Sequence, residues 1–265
     1  MKEQERRIKL EEIIYTLIVQ KFVESGISMV PSLASITSIE KPWPVQVKEL
    51  EAVHSVDVLD MIKQHITLVL GGQGGSGYLD HSTYAQISKL RVGQVYAASI
   101  IYGYFLRRVY QRFHLEKSMK LLPSGSSETS MNETVNAEVN SNSSGNRPVD
   151  NVLRGLGAQS PMQFGGMKPT ALQTYIANMD VELLQRIATV RSRESLRVLE
   201  KHTEALFGRP DVIVAPDGSM RINKDEPLKI SFAGLRHLVM ESVAFGSFLW
   251  DVESHVDASY AFVSN

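Results

Sequence analysis

The 265-residue chain contains no cysteine. That excludes a disulfide framework, a thiolate metal site, a cysteine nucleophile and thiol redox sensing. It also lacks an excess of either charge: 28 basic and 29 acidic side chains leave a net charge of −1. A protein that docks onto nucleic acid through its whole surface is normally strongly basic, so the balance argues against nucleic acid as a partner. There is no long apolar run. The longest charge-free stretch in an apolar region, Val92 to Leu106, is bounded by Arg91 and Arg107. A bilayer crossing needs roughly 20 apolar residues, so a buried helix is predicted and no transmembrane span. The first 18 residues carry Glu3, Glu5, Glu11 and Glu12, and they read neither as a secretory signal nor as a transit peptide.

What is present is a 43% hydrophobic composition, enough for a core, and one sharp change of composition. From Pro123 the sequence runs PSGSSETSMNETVNAEVNSNSSGNR. It offers almost nothing to bury against the entropy of ordering it, so a disordered linker is predicted over 123–166. The sequons at Asn132 and Asn142 fall inside it and read as chance in an Asn/Ser-rich tract. The linker separates an N-terminal helical half, 1–122, from a C-terminal half, 167–265, and the two are expected to share one core. No internal repeat is evident across it.

The fold class expected is predominantly α, an irregular multi-helix bundle with one small β-hairpin. Leu10, Ile13, Ile14, Leu17, Ile18 and Phe22 recur at helical spacing, and Gly26 ends that run. Ser55 is placed to cap a helix reaching Leu70. One long helix is predicted from Ser82 to Leu122. In it Gly93 with Ala97, and Ser99 with Gly103, set small residues four apart, which calls for close approach of another helix. After the linker come a short helix over Thr170–Asn178 and a longer one over Val181–Phe207, capped by Asp180 and closed by Gly208. Pro216-Asp217-Gly218 lies between two β-prone runs, giving the hairpin over about 212–222. Ser231 then caps a final helix to about His255.

Candidate sites are few. The loop Gly71–Gly77 could cradle an anion with its backbone N–H groups, but it lacks the Lys-Ser/Thr pair of a nucleotide loop and follows a helix. The predicted long helix carries Lys89, Arg91, Arg107, Arg108, Arg112, Lys117 and Lys120 against Glu116 alone. Its basic end, together with Arg191 and Arg193, is the candidate partner or anion surface. Trp43, between prolines, could stack on a ligand, but such a ring more often plugs the edge of a core, and Trp250 reads as core. His237 with Glu241, and Asp251 with His255, are four apart and read as surface pairs. Glu-x-x-His occurs only at Glu51–His54, so no metal site is expected. No catalytic residue and no cofactor are assigned.

Several longer strings are distinctive: Tyr102-Gly103-Tyr104-Phe105-Leu106-Arg107-Arg108-Val109, Leu184 to Ser192, Ala205 to Pro210, and Ser231 to Asp257 with Ala244-Phe245-Gly246-Ser247-Phe248-Leu249-Trp250-Asp251-Val252-Glu253. Together they resemble the plant family of a domain of unknown function that includes the UV-B-induced chloroplast proteins. The resemblance implies a plastid protein of the stroma, linked to light or UV-B stress, and brings no reaction with it. The leading expectation is a non-enzymatic regulatory or adaptor protein with a protein partner. The alternatives are an enzyme or ligand binder with a pocket between the halves, and a peripheral membrane protein holding anionic lipid through the basic helix.

Overall fold

The computed structural model describes residues 2–37, 46–70, 84–122, 169–209, 212–214, 220–222 and 226–259. The linker, the glycine loop and Trp43 lie outside the described residues. Helix α1 spans Lys2–Glu24 and buries Leu10, Ile14, Ile18 and Phe22, the predicted stripe. It closes on Gly26, whose φ of 69° is the left-handed conformation glycine adopts freely. Short helices α2 (Leu33–Thr37) and α3 (Val47–Ala52) lead to α4 (Val56–Val69). Ser55 occupies the N-cap of α4, but its side chain makes no capping hydrogen bond.

The predicted start of the long helix is corrected. Tyr84–Ser88 is a strand, β1, paired antiparallel with a later strand over Pro227–Ser231. The partner lies some 140 residues on, so no local pattern announces the ladder. Helix α5 then runs from Lys89 to Ser118, with the Ser88 hydroxyl accepting from the Arg91 N–H. It ends in a Schellman-type turn, Leu121 N–H to Glu116 O, with Lys120 at φ 56° where glycine is usual.

Beyond the linker, α6 (Ala171–Ala177) opens with a capping box between Thr170 and Gln173. The single helix expected over Val181–Phe207 is two. α7 covers Val181–Ala188, capped by Asp180, and α8 covers Arg193–Phe207, capped by Ser192. The break falls at Thr189 and Val190, β-branched residues followed by a strong cap, and Thr189 is extended. Strands β2 (Val212–Val214) and β3 (Met220–Ile222) form the expected hairpin. β4 (Pro227–Ser231) is the partner of β1, and α9 runs from Phe232 to Ser259 with the Ser231 hydroxyl accepting from Gly234 N–H.

Helices α5 and α9 form the centre of the molecule, and their mutual packing exceeds that of any other pair of elements. A Cβ added at Gly103 would overlap the carbonyl of Val243, and one at Gly246 would overlap the carbonyl of Ile100. The two backbones therefore touch, which is the compensation that mid-helix glycine requires. Tyr96, Ile100, Tyr104, Phe105 and Leu106 from α5, and Val243, Phe245 and Leu249 from α9, are buried around this crossing.

Candidate functional site: an arginine-lined cleft beside Trp250

The second half of α5 leaves the crossing and presents its charged face to α7 and to the later turns of α9. Arg107 donates from Nε to Asp251 Oδ1 at 2.9 Å, and Gln111 Nε2 donates to the same oxygen at 2.9 Å. Gln111 Oε1 in turn accepts from the Trp250 indole N–H at 2.7 Å. Asp251 is thus tied to α5, and the surface pair expected with His255 is corrected. Trp250 is only half-buried, which corrects its reading as core. Guanidinium groups flank its ring: Arg108 at 5.0 Å and Arg191 at 5.7 Å from the centroid.

Arg108 also closes α7. Its terminal nitrogen donates to the carbonyls of Arg186, Ile187 and Thr189 at 3.0, 3.2 and 3.3 Å, the groups a helix end leaves unpaired. Burial holds its pKa below the ordinary arginine value. Arg191 and Arg186 add like-charge repulsion, and Tyr104 and Glu253 oppose it. Arg112, one turn on, is bound to Glu116 at 2.7 Å, and Glu116 also accepts from Tyr175.

Between these groups lies an open cleft of about 300 Å³. Arg108, Arg112 and Arg186 rim it, Leu183, Ile187, Leu115 and Trp250 supply apolar walls, and no acidic side chain among the described residues lines it. Arg186 is exposed, and its guanidinium makes no hydrogen bond or ion pair among the described residues.

The other sequence candidates divide. Lys117 lies over the Phe113 ring at 5.8 Å, and Lys120 is exposed at the turn that ends α5. With Leu115, Met119 and Leu121, which are 58, 51 and 65% exposed, they make a mixed apolar and basic end. Arg191 pairs with Asp257 beside Trp250. Arg193 faces elsewhere, into a groove of about 820 Å³ between α1 and α8, so the Arg191–Arg193 pair does not converge on one ligand. Arg186 is not among the candidates read from the sequence. Nothing in its spacing announces that Arg108 would cap its helix and draw it to the cleft.

Behind the cleft two buried carboxylates gather interior donors, while His237, Glu194 Oε2 and Ser195 Oγ have no hydrogen-bond partner among the described residues. Glu253 accepts from Tyr104 O–H (2.5 Å), Ser192 O–H (2.5 Å) and Ser192 N–H (2.9 Å), and the Tyr104 oxygen accepts from Arg191 N–H. This joins α5, α9 and the α7–α8 break. A second buried carboxylate, Glu241, accepts from Tyr96 O–H and Val30 N–H, and the Tyr96 oxygen takes the His202 Nε2 proton at 2.9 Å. Burial pushes the Tyr96 and Tyr104 hydroxyls up and His202 down to about 4, so His202 is the neutral donor this arrangement needs. His237 is 3.6 Å from Glu241 with both fully buried, which corrects its reading as a surface pair. No group of three or more potential metal ligands occurs among the described residues. No helix among them is long and apolar enough to cross a membrane.

Residues 33–119 match the family described as protein of unknown function DUF760. Over its whole length the chain is 50% identical to a UV-B-induced chloroplastic protein of Arabidopsis thaliana, of which it spans 63%. No solved structure matches it.

Proposed function

From the premise that the chain belongs to the DUF760 family, alongside a UV-B-induced chloroplastic relative, we propose that it is a stromal plastid protein of regulatory or adaptor type. It works by holding a protein partner in the arginine-lined cleft. The observation that carries this reading is the cleft's composition: three guanidinium rims, one of them unengaged, over an indole and aliphatic walls. Guanidinium forks match carboxylates in plane and bidentately, and an aromatic wall adds contact area at little entropic cost. The partner that fits is an acidic segment carrying an apolar anchor side chain.

The test is affinity purification from intact chloroplasts, comparing the natural chain with Arg186→Glu. Loss of acidic partners from the variant supports the reading, and an unchanged partner set overturns it.

A second reading has its own observation. Exposed Leu115, Met119 and Leu121 stand beside Lys117 and Lys120, the combination that docks a helix end on anionic lipid. Co-sedimentation with anionic but not zwitterionic vesicles, lost in Lys117→Glu/Lys120→Glu, would carry it. Equal behaviour with both vesicle types would end it.

A further inference from the structure

We propose that the chain is a fused pseudo-dimer. Two copies of one unit, α2 to α5 and α6 to α9, sit on each other through the kind of interface that two identical subunits make. Each copy has three helices, a five-residue strand and a long helix, and the second adds the β2–β3 hairpin before its strand. A shift of 143 residues lays β1 and α5 on β4 and α9, and their contacts obey that shift. In the β1–β4 ladder Tyr84 pairs with Ser231 and Ser88 with Pro227, so Gln86 faces its own equivalent, Lys229. At the helix crossing Gly103 meets the Val243 carbonyl and Gly246 meets the Ile100 carbonyl; the equivalents Gly103 and Gly246, and Ile100 and Val243, are again 143 apart. Ser88 and Ser231 cap their helices in the same way. Residue i against j, with j against i, is the signature of a two-fold interface.

The third helices continue the correspondence. Ser55 and Ser192 stand at the N-caps of α4 and α8. His65 stacks on Tyr102 at 4.2 Å and 18°, and His202 stacks on Phe245 at 4.3 Å and 8°; Tyr102 and Phe245 are equivalents. The second helices are exchanged, α3 packing on α9 and α7 on α5. The family match, 33–119, covers one copy.

Under this proposal the chain holds a repeat that its sequence does not make evident. Over the strand and helix only Ile87, Ser88, Ser99, Gly103, Phe105, Leu106 and Val109 recur, as Ile230, Ser231, Ser242, Gly246, Phe248, Leu249 and Val252. These are cap, crossing and core positions; the rest have diverged. Divergence put Arg107 and Arg108 opposite Trp250 and Asp251, so the arginine cleft exists once.

Phe245→Tyr in the full chain tests the equivalence. In the first copy the Tyr102 hydroxyl donates to the Met61 carbonyl at 3.3 Å. Aligning His65 with His202 places Val198 at the equivalent of Met61, so its carbonyl awaits a hydroxyl at 245. The melting temperature should stay within about 3 °C of the natural chain, whereas a larger fall, as an unpartnered buried hydroxyl gives, would overturn the proposal. A protease site inserted between Asn140 and Ser141 supplies an independent arm. The cleaved protein should remain one 29.5 kDa particle with one unfolding transition, and separation into two particles would overturn it.

Discussion

Two stretches of α5 meet different fates. From Tyr96 to Leu106 the helix lies in a dry seam with α9, where carboxylates are buried and each accepts from named donors. From Arg107 to Ser118 it carries charge into a cleft and an apolar rim that remain open. The lesson is where polarity is closed and where it is available. In the seam Glu241 and Glu253 are each satisfied by named donors, while the buried His237 ring has no hydrogen-bond partner among the described residues. In the cleft, guanidinium groups lie close to one another with fewer carboxylates than charges.

Substitutions should separate the two. The largest effect is expected at the crossing: Gly246→Val places side-chain atoms on the Ile100 backbone, which no rotamer relieves. The expected outcome is loss of cooperative folding by circular dichroism, and a folded variant would break the account of the seam. Next is Glu253→Ala. It strands Tyr104, Ser192 and the α7–α8 break, at a cost of about 3–5 kcal/mol measured by urea unfolding. A cost below about 1 kcal/mol would show that the network is incidental.

Acid should act on the buried side through three histidines at once. Burial lowers His54, with Arg107 adding to it, and burial lowers His65 and His202, all to about 4, below their unfolded value of 6.5. The unfolded chain therefore takes these protons first. Stability is fully present above about pH 6.5 and declines as pH falls towards 4, by about 3 kcal/mol for each of these histidines. Stability constant between pH 7 and 4.5 would contradict this. The smallest effect belongs to the cleft: Arg186→Glu should change unfolding free energy by less than about 0.5 kcal/mol. A large loss there would erase the distinction between the regions.

Much of the helical frame was legible because caps and apolar spacing are local. Gly26, Thr170, Asp180, Gly208 and Ser231 each stand where an element begins or ends. What was not legible depended on distance along the chain. β1 needs β4, and Glu241 and Glu253 are interior because Tyr96, Tyr104 and Ser192 reach them from elsewhere. Trp250 lies at a rim because Gln111 and Arg108 are there. The basic end of α5 was visible in the sequence, but its most available cation, Arg186, comes from another helix.

The seating of Trp250 has a spectroscopic consequence. The chain has two tryptophans, Trp43 and Trp250, and Trp250 holds its indole N–H to Gln111 with cationic groups flanking the ring. Whatever enters the cleft alters the field across that chromophore. A Trp43→Phe chain would then carry a single tryptophan, whose selectively excited emission and quenching by iodide read occupancy without any added label.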